Sequence, residues 1–246
     1  MGRISLELVA RTEESFAEEL KEVKERFPCV DTLNIPDILK FDVRISEACE
    51  VAISYFSNVI PHIRAVSINS KEPFFYRDFF VKNNIKEALV ILGDNPEIVS
   101  ESENPCTSVE LIKKIKREMP EVKVYAGVDQ WRKTFEEELD YVKEKKDAGC
   151  DGFFTQPFFD LELLGKWARV LQDTHVFWGL APVVRESSKH YWETKNSVRF
   201  PADFECSMDW NQKFAKKVLD ITNTDNFHVY FCPITVDFVE YLEGIV

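Results

Sequence analysis

The chain has 246 residues, of which 45% are hydrophobic and 30% are charged, and its formal net charge at pH 7 is −12. This composition predicts one globular domain over residues 1–246. The acidic balance excludes nucleic acid as an expected partner, because binding to the phosphate backbone depends on clustered Lys and Arg. No stretch approaches the roughly 20 apolar residues that span a bilayer, and the N-terminus lacks a signal-peptide pattern, so we expect a cytoplasmic protein without a membrane partner.

Short runs of β-branched and aromatic residues alternate with segments of helical periodicity along the chain. Eight strands are predicted: Ile4–Val9, Val30–Ile35, Val59–Val66, Ala88–Leu92, Lys123–Val128, Gly152–Gln156, Val176–Leu180 and Val229–Cys232. This alternation and a length near about 250 residues predict a single-domain (β/α)8 TIM barrel. A doubly wound open sheet is the competing architecture, since alternation alone does not prove closure, but that fold usually needs fewer strands.

Local signals mark several of the intervening helices. Apolar residues recur at helical spacing within Phe16–Phe27, and capping-box spacing occurs at 107–110 and at 134–137. The seventh connection is unusually long, since it runs from Pro182 to a second helical stretch near Trp210–Leu219. We expect it to add a lid or an extra helix to the barrel.

Several classes of site are disfavoured by missing motifs. The six cysteines are scattered without a C-x-x-C pair or the ligand spacing of a zinc site, so we expect reduced thiols and no metal. The sequence also lacks G-x-G-x-x-G, P-loop, G-x-S-x-G and H-E-x-x-H motifs. Rossmann-type dinucleotide binding, phosphoryl transfer, and serine or zinc hydrolysis therefore lose support.

Polar residues at the predicted strand ends are the candidates for chemistry, because barrel enzymes carry their reacting groups at the carboxyl ends of strands. These residues are Glu7, Asn34, Asp37, His62, Arg64, Asp94, Asp129, Gln130, Thr155 and Gln156. Asp94 lies in a Gly-Asp-Asn-Pro turn that local backbone chemistry explains by itself. His62 is more typical of a core or rim histidine than of a catalyst.

Glu7 is the sharpest candidate, because strand alternation places it on the inner face with Ser5, opposite Leu6. A buried carboxylate costs several kcal/mol unless it is paired, hydrogen-bonded or protonated. One interpretation is a general acid with a raised pKa. The other is a buried salt bridge to Arg64 or Arg11, and the sequence alone leaves both open.

A second candidate region is the run of aromatic residues that surrounds Gln156. An amide offers a donor and an acceptor side by side, which suits the edge of a heteroaromatic ring. The neighbouring Phe158 and Phe159 are placed either to stack on such a ring or to pack against the next helix. Gln156 and Phe158 are therefore candidate substrate-binding residues.

The strand-end segments together resemble the methylenetetrahydrofolate reductase family of flavoprotein barrels. Ser5–Leu8 is similar to the family's first strand with its acidic residue, and Val90–Asp94 to the strand that ends in Gly-Asp. Lys145–Asp160 resembles the family's Lys-x-Asp-Ala-Gly-Ala-(four residues)-Thr-Gln-x-Phe-Phe-Asp run. Gly179–Val183 resembles its Gly-(Ile/Leu)-x-Pro-(Val/Ile) strand end.

The resemblance implies reduction of 5,10-methylenetetrahydrofolate to 5-methyltetrahydrofolate, with hydride passing from NADH or NADPH through bound FAD. Glu7 would be the general acid that helps to open the imidazolidine ring, and Gln156 would bind the pterin. Asp94 would lie between flavin and pterin and act on both, as a catalytic, cofactor-binding and substrate-binding residue. The implied FAD-binding residues are His62, Gly93, Asp94 and Lys145.

The sequence departs from the family at several flavin contacts. Val9-Ala10 replaces a Pro-Pro pair, Leu92 replaces an Arg, and Gly127–Arg132 replaces a Tyr-Pro-x-x-His-Pro segment. Two alternatives therefore stay open: a one-carbon reductase that works without FAD or with a partner subunit, and a folate-binding barrel without redox activity. The oligomeric state is open between a monomer, a homo-oligomer and a complex with a partner subunit.

Overall fold

A computed structural model describes residues 2–93, 102–222 and 226–246 of the chain. Eight parallel strands, hydrogen-bonded in chain order, close into a barrel in which the last strand pairs with the first. The strands are β1 (Ile4–Glu7), β2 (Thr32–Ile35), β3 (Asn58–Arg64), β4 (Glu87–Ile91), β5 (Lys123–Val128), β6 (Gly152–Thr155), β7 (His175–Leu180) and β8 (Phe227–Phe231). The predicted (β/α)8 TIM barrel is confirmed, and the open-sheet alternative is wrong.

Helices surround the barrel and connect its strands. In the described ranges they are α1 (Glu13–Arg26), α2 (Ile45–Ala52), α3 (Arg77–Lys82), α4 (Ser108–Glu118), α5 (Phe135–Asp147), α6 (Leu161–Val170), α7 (Glu186–Lys195), α8 (Met208–Ile221) and α9 (Phe238–Glu243). The seventh connection holds both α7 and α8, which confirms the predicted extra helix. Within these ranges, we find no helix whose length and apolar character would let it cross a membrane.

Two helices begin at the capping boxes that the sequence predicts. The backbone N–H of Thr107 donates to Glu110 at 2.8 Å, and that of Thr134 donates to Glu137 at 3.0 Å. In return, each threonine hydroxyl accepts from the backbone N–H of its glutamate. These reciprocal bonds satisfy donors that have no partner within the first helical turn.

Inward-facing side chains fill the barrel from its amino end upward. At the amino end, the Arg3 guanidinium pairs with Glu87 at 2.7 Å. A central cluster follows: Ile60, Leu89, Tyr125, Phe154, Phe177 and Tyr230. Within it, the rings of Phe154 and Phe177 stack with centroids 4.1 Å apart. Barrel enzymes carry their reacting groups at the carboxyl end of the strands, and we call this end of the barrel the mouth.

Candidate functional site

Glu7 ends β1 and points into the barrel, as the strand alternation predicts. Only 6% of Glu7 is exposed. The Cys232 thiol donates to its Oε1 over 3.6 Å, and the Tyr230 hydroxyl also hydrogen-bonds to this carboxyl group. The closure of β8 onto β1 makes these contacts, since Ser5 pairs with Tyr230 in the barrel register.

The salt-bridge interpretation of Glu7 is wrong. Arg11 instead contacts Glu19, with 3.7 Å between Nη1 and Oε1. Arg64 is buried, but both of its terminal nitrogens lack a hydrogen-bond partner among the residues described. Neither arginine therefore neutralises Glu7, so its buried carboxyl group is not stabilised by a salt bridge to arginine.

Burial raises the pKa of Glu7 to about 7, although the hydrogen bonds from Cys232 and Tyr230 act in the opposite direction. His62 lies nearby, with its Nε2 4.0 Å from Oε2 of Glu7. Burial lowers the pKa of His62 to about 3, so its imidazole is neutral at physiological pH and forms no ion pair with Glu7. Glu7 is therefore poised to hold and release a proton near neutral pH, as a general acid must.

This raised pKa has a consequence for stability. Between the ordinary value of 4.5 and the folded value of about 7, the folded state keeps a proton on Glu7 that the unfolded chain releases. Stability that depends on Glu7 therefore falls as the pH rises through this window. We therefore expect the free energy of unfolding of Glu7→Gln, relative to that of the wild type, to increase by roughly 3 kcal/mol as the pH rises from acidic to mildly alkaline.

Urea denaturation of both proteins across this pH range measures the gain. Because both proteins contain the other titrating groups, His62 included, the contributions of these groups to the pH dependence of stability cancel in the comparison. Glu14→Gln, at an exposed position of α1, is the matched control. A Glu7→Gln difference that stays constant with pH would contradict the raised pKa.

Gln156 follows β6 on another side of the mouth. Its side chain is exposed, whereas Phe153–Thr155 and Pro157–Phe159 around it are buried. The Gln130 amide donates to the backbone carbonyl of Gln156 at 2.7 Å and to that of Pro157 at 3.2 Å. Gln130 thus holds the turn that presents the exposed Gln156.

Gly127 leaves space at the mouth beside these groups. It follows Tyr125 by two residues on β5 and therefore shares its inward face. A Cβ atom built on Gly127 would meet no other atom within 4 Å. The absence of a side chain therefore leaves open space next to Gly127 on this inward face.

Phe158 lies in the packing outside the barrel. It is 1% exposed, and its ring contacts Trp178 edge-on with centroids 5.7 Å apart and Trp131 with centroids 6.3 Å apart. Phe159 is equally buried, with its ring centroid 4.7 Å from that of Phe200 in the seventh connection. The structure thus places the predicted stacking residue Phe158 in packing, apart from Gln156, which is exposed.

Lys145 is also held away from the mouth. It is 4% exposed on α5, and its ammonium donates to the backbone carbonyl of Gly127 at 2.6 Å. The same nitrogen lies 3.7 Å from Oε1 of Glu138. With its charge engaged between α5 and β5, Lys145 is not brought together with Glu7, and its assignment to FAD stays a prediction.

Gly93 follows β4 and lies against β3. Its φ of +93° belongs to the left-handed region that favours glycine. A Cβ atom there would lie 2.8 Å from Cγ2 of Val66 and 3.1 Å from Nε of Arg64. The glycine is thus required by close packing over β3.

Asp94, which was predicted to act on both flavin and pterin, lies outside the described residues.

Other polar residues at the strand ends support the backbone. Asp129 Oδ1 accepts from the backbone N–H groups two and three residues farther on. The Thr155 hydroxyl accepts from the N–H of Gly179 at 3.0 Å, and the Asn34 amide donates to Ser5 at 2.6 Å. None of these contacts brings a reactive group next to Glu7.

Sequence reasoning missed Tyr230 and Cys232, the two residues that bond to Glu7. A signal was present, since both lie at alternate positions at the end of the last predicted strand. Applying the inward parity of β1 to β8 would have placed them at the mouth. All six cysteines, including Cys232, are free thiols.

Comparison with known proteins identifies the family of this chain. The methylenetetrahydrofolate reductase family model matches residues 55–212. The chain belongs to this family. The match includes His62, Gly127 and Gln156, while Glu7 on β1 precedes it. No curated protein matches the chain.

Solved structures with similar folds come from several kinds of protein. An uncharacterized Clostridium thermocellum protein that binds two copies of 5-methyl-5,6,7,8-tetrahydrofolic acid has a TM-score of 0.64 and 13% identity, covering 99% of this chain and 92% of that one. A 2,3-dimethylmalate lyase has a TM-score of 0.59 and 11% identity, covering 95% and 76%. A putative deoxyribose-phosphate aldolase from Coccidioides immitis has a TM-score of 0.51 and 12% identity, covering 73% and 72%. At these identities the likeness is one of fold.

Proposed function

We propose that this member of the methylenetetrahydrofolate reductase family reduces 5,10-methylenetetrahydrofolate to 5-methyltetrahydrofolate, with NAD(P)H as the electron donor and FAD as the bound carrier. The observation that carries the proposal is Glu7, a buried carboxyl group at the barrel mouth with a pKa of about 7. The folate-binding protein of similar fold supports the substrate class.

Glu7 supplies the proton that opens the imidazolidine ring. When the bond between the one-carbon unit and one ring nitrogen breaks, the departing nitrogen takes up the Glu7 proton and leaves an iminium carbon. A hydride then adds to that carbon and completes the methyl group. The hydrogen bonds from Cys232 and Tyr230 stabilise the Glu7 carboxylate that remains. His62 is neutral at physiological pH and therefore does not compete with Glu7 as the proton donor.

Groups at the mouth fit a heteroaromatic cofactor. The buried Nε2 of His62 has no hydrogen-bond partner among the described residues, and Gly127 leaves open space for a ring. When bound, FAD supplies a hydride carrier between the nicotinamide and the one-carbon unit. His62 would then offer a hydrogen bond to the ring, while Lys145 takes no part in this proposal because its ammonium is already engaged.

Gln156 is proposed to bind the edge of the pterin through its exposed amide. We expect Gln156→Ala to weaken tetrahydrofolate binding by up to about tenfold, the worth of one hydrogen bond of about 1.4 kcal/mol. The fold should be unchanged, since the side chain is exposed. Fluorescence titration with tetrahydrofolate measures the affinity, and circular dichroism checks the fold.

The matched control for Gln156→Ala is Gln172→Ala, since Gln172 is an exposed glutamine in the turn before β7, at the amino end of the barrel. This variant should bind tetrahydrofolate like the wild type. An unfolded Gln156→Ala protein, or a folded one with wild-type affinity, would contradict the proposed contact.

A folate-binding barrel without redox activity is the second candidate. Two observations favour it. The flavin contacts are altered at Val9-Ala10, Leu92 and Gly127–Arg132. In addition, the Lys145 ammonium is already hydrogen-bonded to the Gly127 carbonyl. A reductase that works without FAD or with a partner subunit would share the same Glu7 chemistry. These candidates differ in whether the protein takes up FAD and whether it turns over folate.

The experiment that separates them starts from purified protein incubated with FAD. Its visible spectrum is followed under anaerobic conditions during addition of NADH and then of 5,10-methylenetetrahydrofolate. We expect flavin absorbance that bleaches with NADH and returns with the folate, together with formation of 5-methyltetrahydrofolate. Folate reduction without FAD uptake supports the flavin-free reductase. Folate binding without reduction overturns the proposal in favour of the binding barrel.

A further inference from the structure

Arg64 carries a buried guanidinium whose terminal nitrogens receive no hydrogen-bond partner from the described residues. The residue is 3% exposed, and neither Nη1 nor Nη2 has a hydrogen-bond partner in the described part of the chain. A buried charged group without a partner is strongly unfavourable, and such groups are rare in folded proteins. Glu7 does not compensate it, because its carboxyl group is held by Cys232 and Tyr230.

The guanidinium belongs to the mouth of the barrel. Along β3, alternation places Ile60, His62 and Arg64 on the inner face, and Ile60 packs in the central cluster. Arg64 is therefore the residue nearest the carboxyl end on this face. His62, two residues before it, approaches Glu7 to 4.0 Å. The charge lies on the same side of the barrel as the proposed chemistry.

The side chain of Arg64 is also held in place. Its Cβ and Nε lie against Gly93, where an added Cβ atom would stand 3.3 Å and 3.1 Å from them. The two terminal nitrogens are the part of the side chain for which the described residues provide no hydrogen-bond partner. A fixed guanidinium presents its donors as a planar fork, which matches the two oxygens of a phosphate or a carboxylate.

We propose that Arg64 binds an oxyanion of the molecule that occupies the barrel mouth. The inference rests on the proposed function for the identity of that molecule, but not for the existence of the anion site. Two sources carry this chemistry: the phosphates of FAD and the glutamate carboxylates of the folate tail. The ligand supplies hydrogen-bond acceptors that the described residues do not offer to the terminal nitrogens of Arg64, so ligand binding stabilises the folded protein.

Arg64→Met tests the site through pairs of probes in which one member carries the anion and the other does not. Affinities are measured by fluorescence titration for FAD against riboflavin, which lacks the phosphates, and for tetrahydrofolate against 6-methyltetrahydropterin, which carries no carboxylate. We expect Arg64→Met to lose about tenfold or more in affinity for one charged probe, and to bind its uncharged counterpart like the wild type. Loss for FAD identifies the phosphates, and loss for tetrahydrofolate identifies the carboxylates.

Arg64→Lys and Arg169→Met are the comparison variants. Arg64→Lys keeps the positive charge but not the planar fork of donors, so it should lose less affinity than Arg64→Met. It also allows the test to be made if Arg64→Met does not fold. Arg169 is exposed on α6, and Arg169→Met changes the net charge equally. It should leave all four affinities unchanged.

Thermal unfolding provides a readout that needs neither FAD nor folate. The ligand-free Arg64→Met protein should melt at a higher temperature than the wild type, because it lacks a buried charge to which no described residue hydrogen-bonds at its terminal nitrogens. Inorganic pyrophosphate should raise the melting temperature of the wild type but not of Arg64→Met. This arm distinguishes failure of the anion site from failure of folate reduction. Equal affinities for every probe, with equal melting responses to pyrophosphate, would overturn the proposal.

Discussion

Glu7→Gln should lower the rate of 5,10-methylenetetrahydrofolate reduction by about 10²- to 10⁴-fold and leave reduction of bound flavin by NAD(P)H nearly unchanged. Glutamine keeps the shape of the side chain but carries no acidic proton, and only the folate half-reaction requires that proton. Anaerobic stopped-flow absorbance measures the two half-reactions separately. Equal losses in both half-reactions would contradict the assignment of Glu7 as the general acid.

The pH dependence of the folate half-reaction gives an independent check on the same group. Because only protonated Glu7 donates, the wild-type rate constant should fall as the pH rises through about 7, whereas that of Glu7→Gln should not show this step. Glu19→Gln is the matched control, since Glu19 is a carboxyl group on α1, outside the barrel, whose pKa burial also raises. This control should retain wild-type rates in both half-reactions.

Phe158→Ala should destabilise the protein by about 3–5 kcal/mol, since it removes a fully buried ring and leaves a cavity between Trp131 and Trp178. Phe158→Leu, which fills more of that cavity, should cost less. Urea denaturation measures both changes. Phe75→Ala is the control, because Phe75 is 78% exposed and its replacement should change stability by at most about 0.5 kcal/mol.

The same variants decide whether Phe158 contributes to folate binding. If its ring only packs, folded Phe158→Leu should bind tetrahydrofolate with wild-type affinity. A large loss of affinity without a loss of stability would restore the stacking interpretation and contradict the packing seen in the structure.

Much of the fold follows from local patterns in the sequence. Each of the eight strands overlaps its predicted range, with no end displaced by more than two residues. The capping boxes at 107–110 and 134–137 were predictable because they involve neighbours in sequence. The inward orientation of Glu7 follows from the two-residue period of a strand, which needs no knowledge of the partner strand.

The aromatic run at β6 marks the limit of such local reasoning. Strand alternation ends where the turn after Thr155 begins, so spacing alone does not decide which side chains face the mouth. The structure exposes Gln156 and buries Phe158, because Gln130 holds the turn and Trp178 packs on the Phe158 ring. The same limit applies to Lys145, because the hydrogen bond from its ammonium to the Gly127 carbonyl depends on how α5 packs against β5.

The sequence by itself determined the order of strands and helices and the face of β1 on which Glu7 lies, and it favoured the parallel barrel whose closure the structure shows. Only the tertiary structure decided what surrounds that carboxyl group. Cys232, 225 residues away in sequence, reaches Glu7 because β8 closes the barrel against β1. The tertiary structure also decided that no described residue hydrogen-bonds to the terminal nitrogens of Arg64, since pairing across the mouth depends on strand stagger and side-chain packing, which periodicity does not encode.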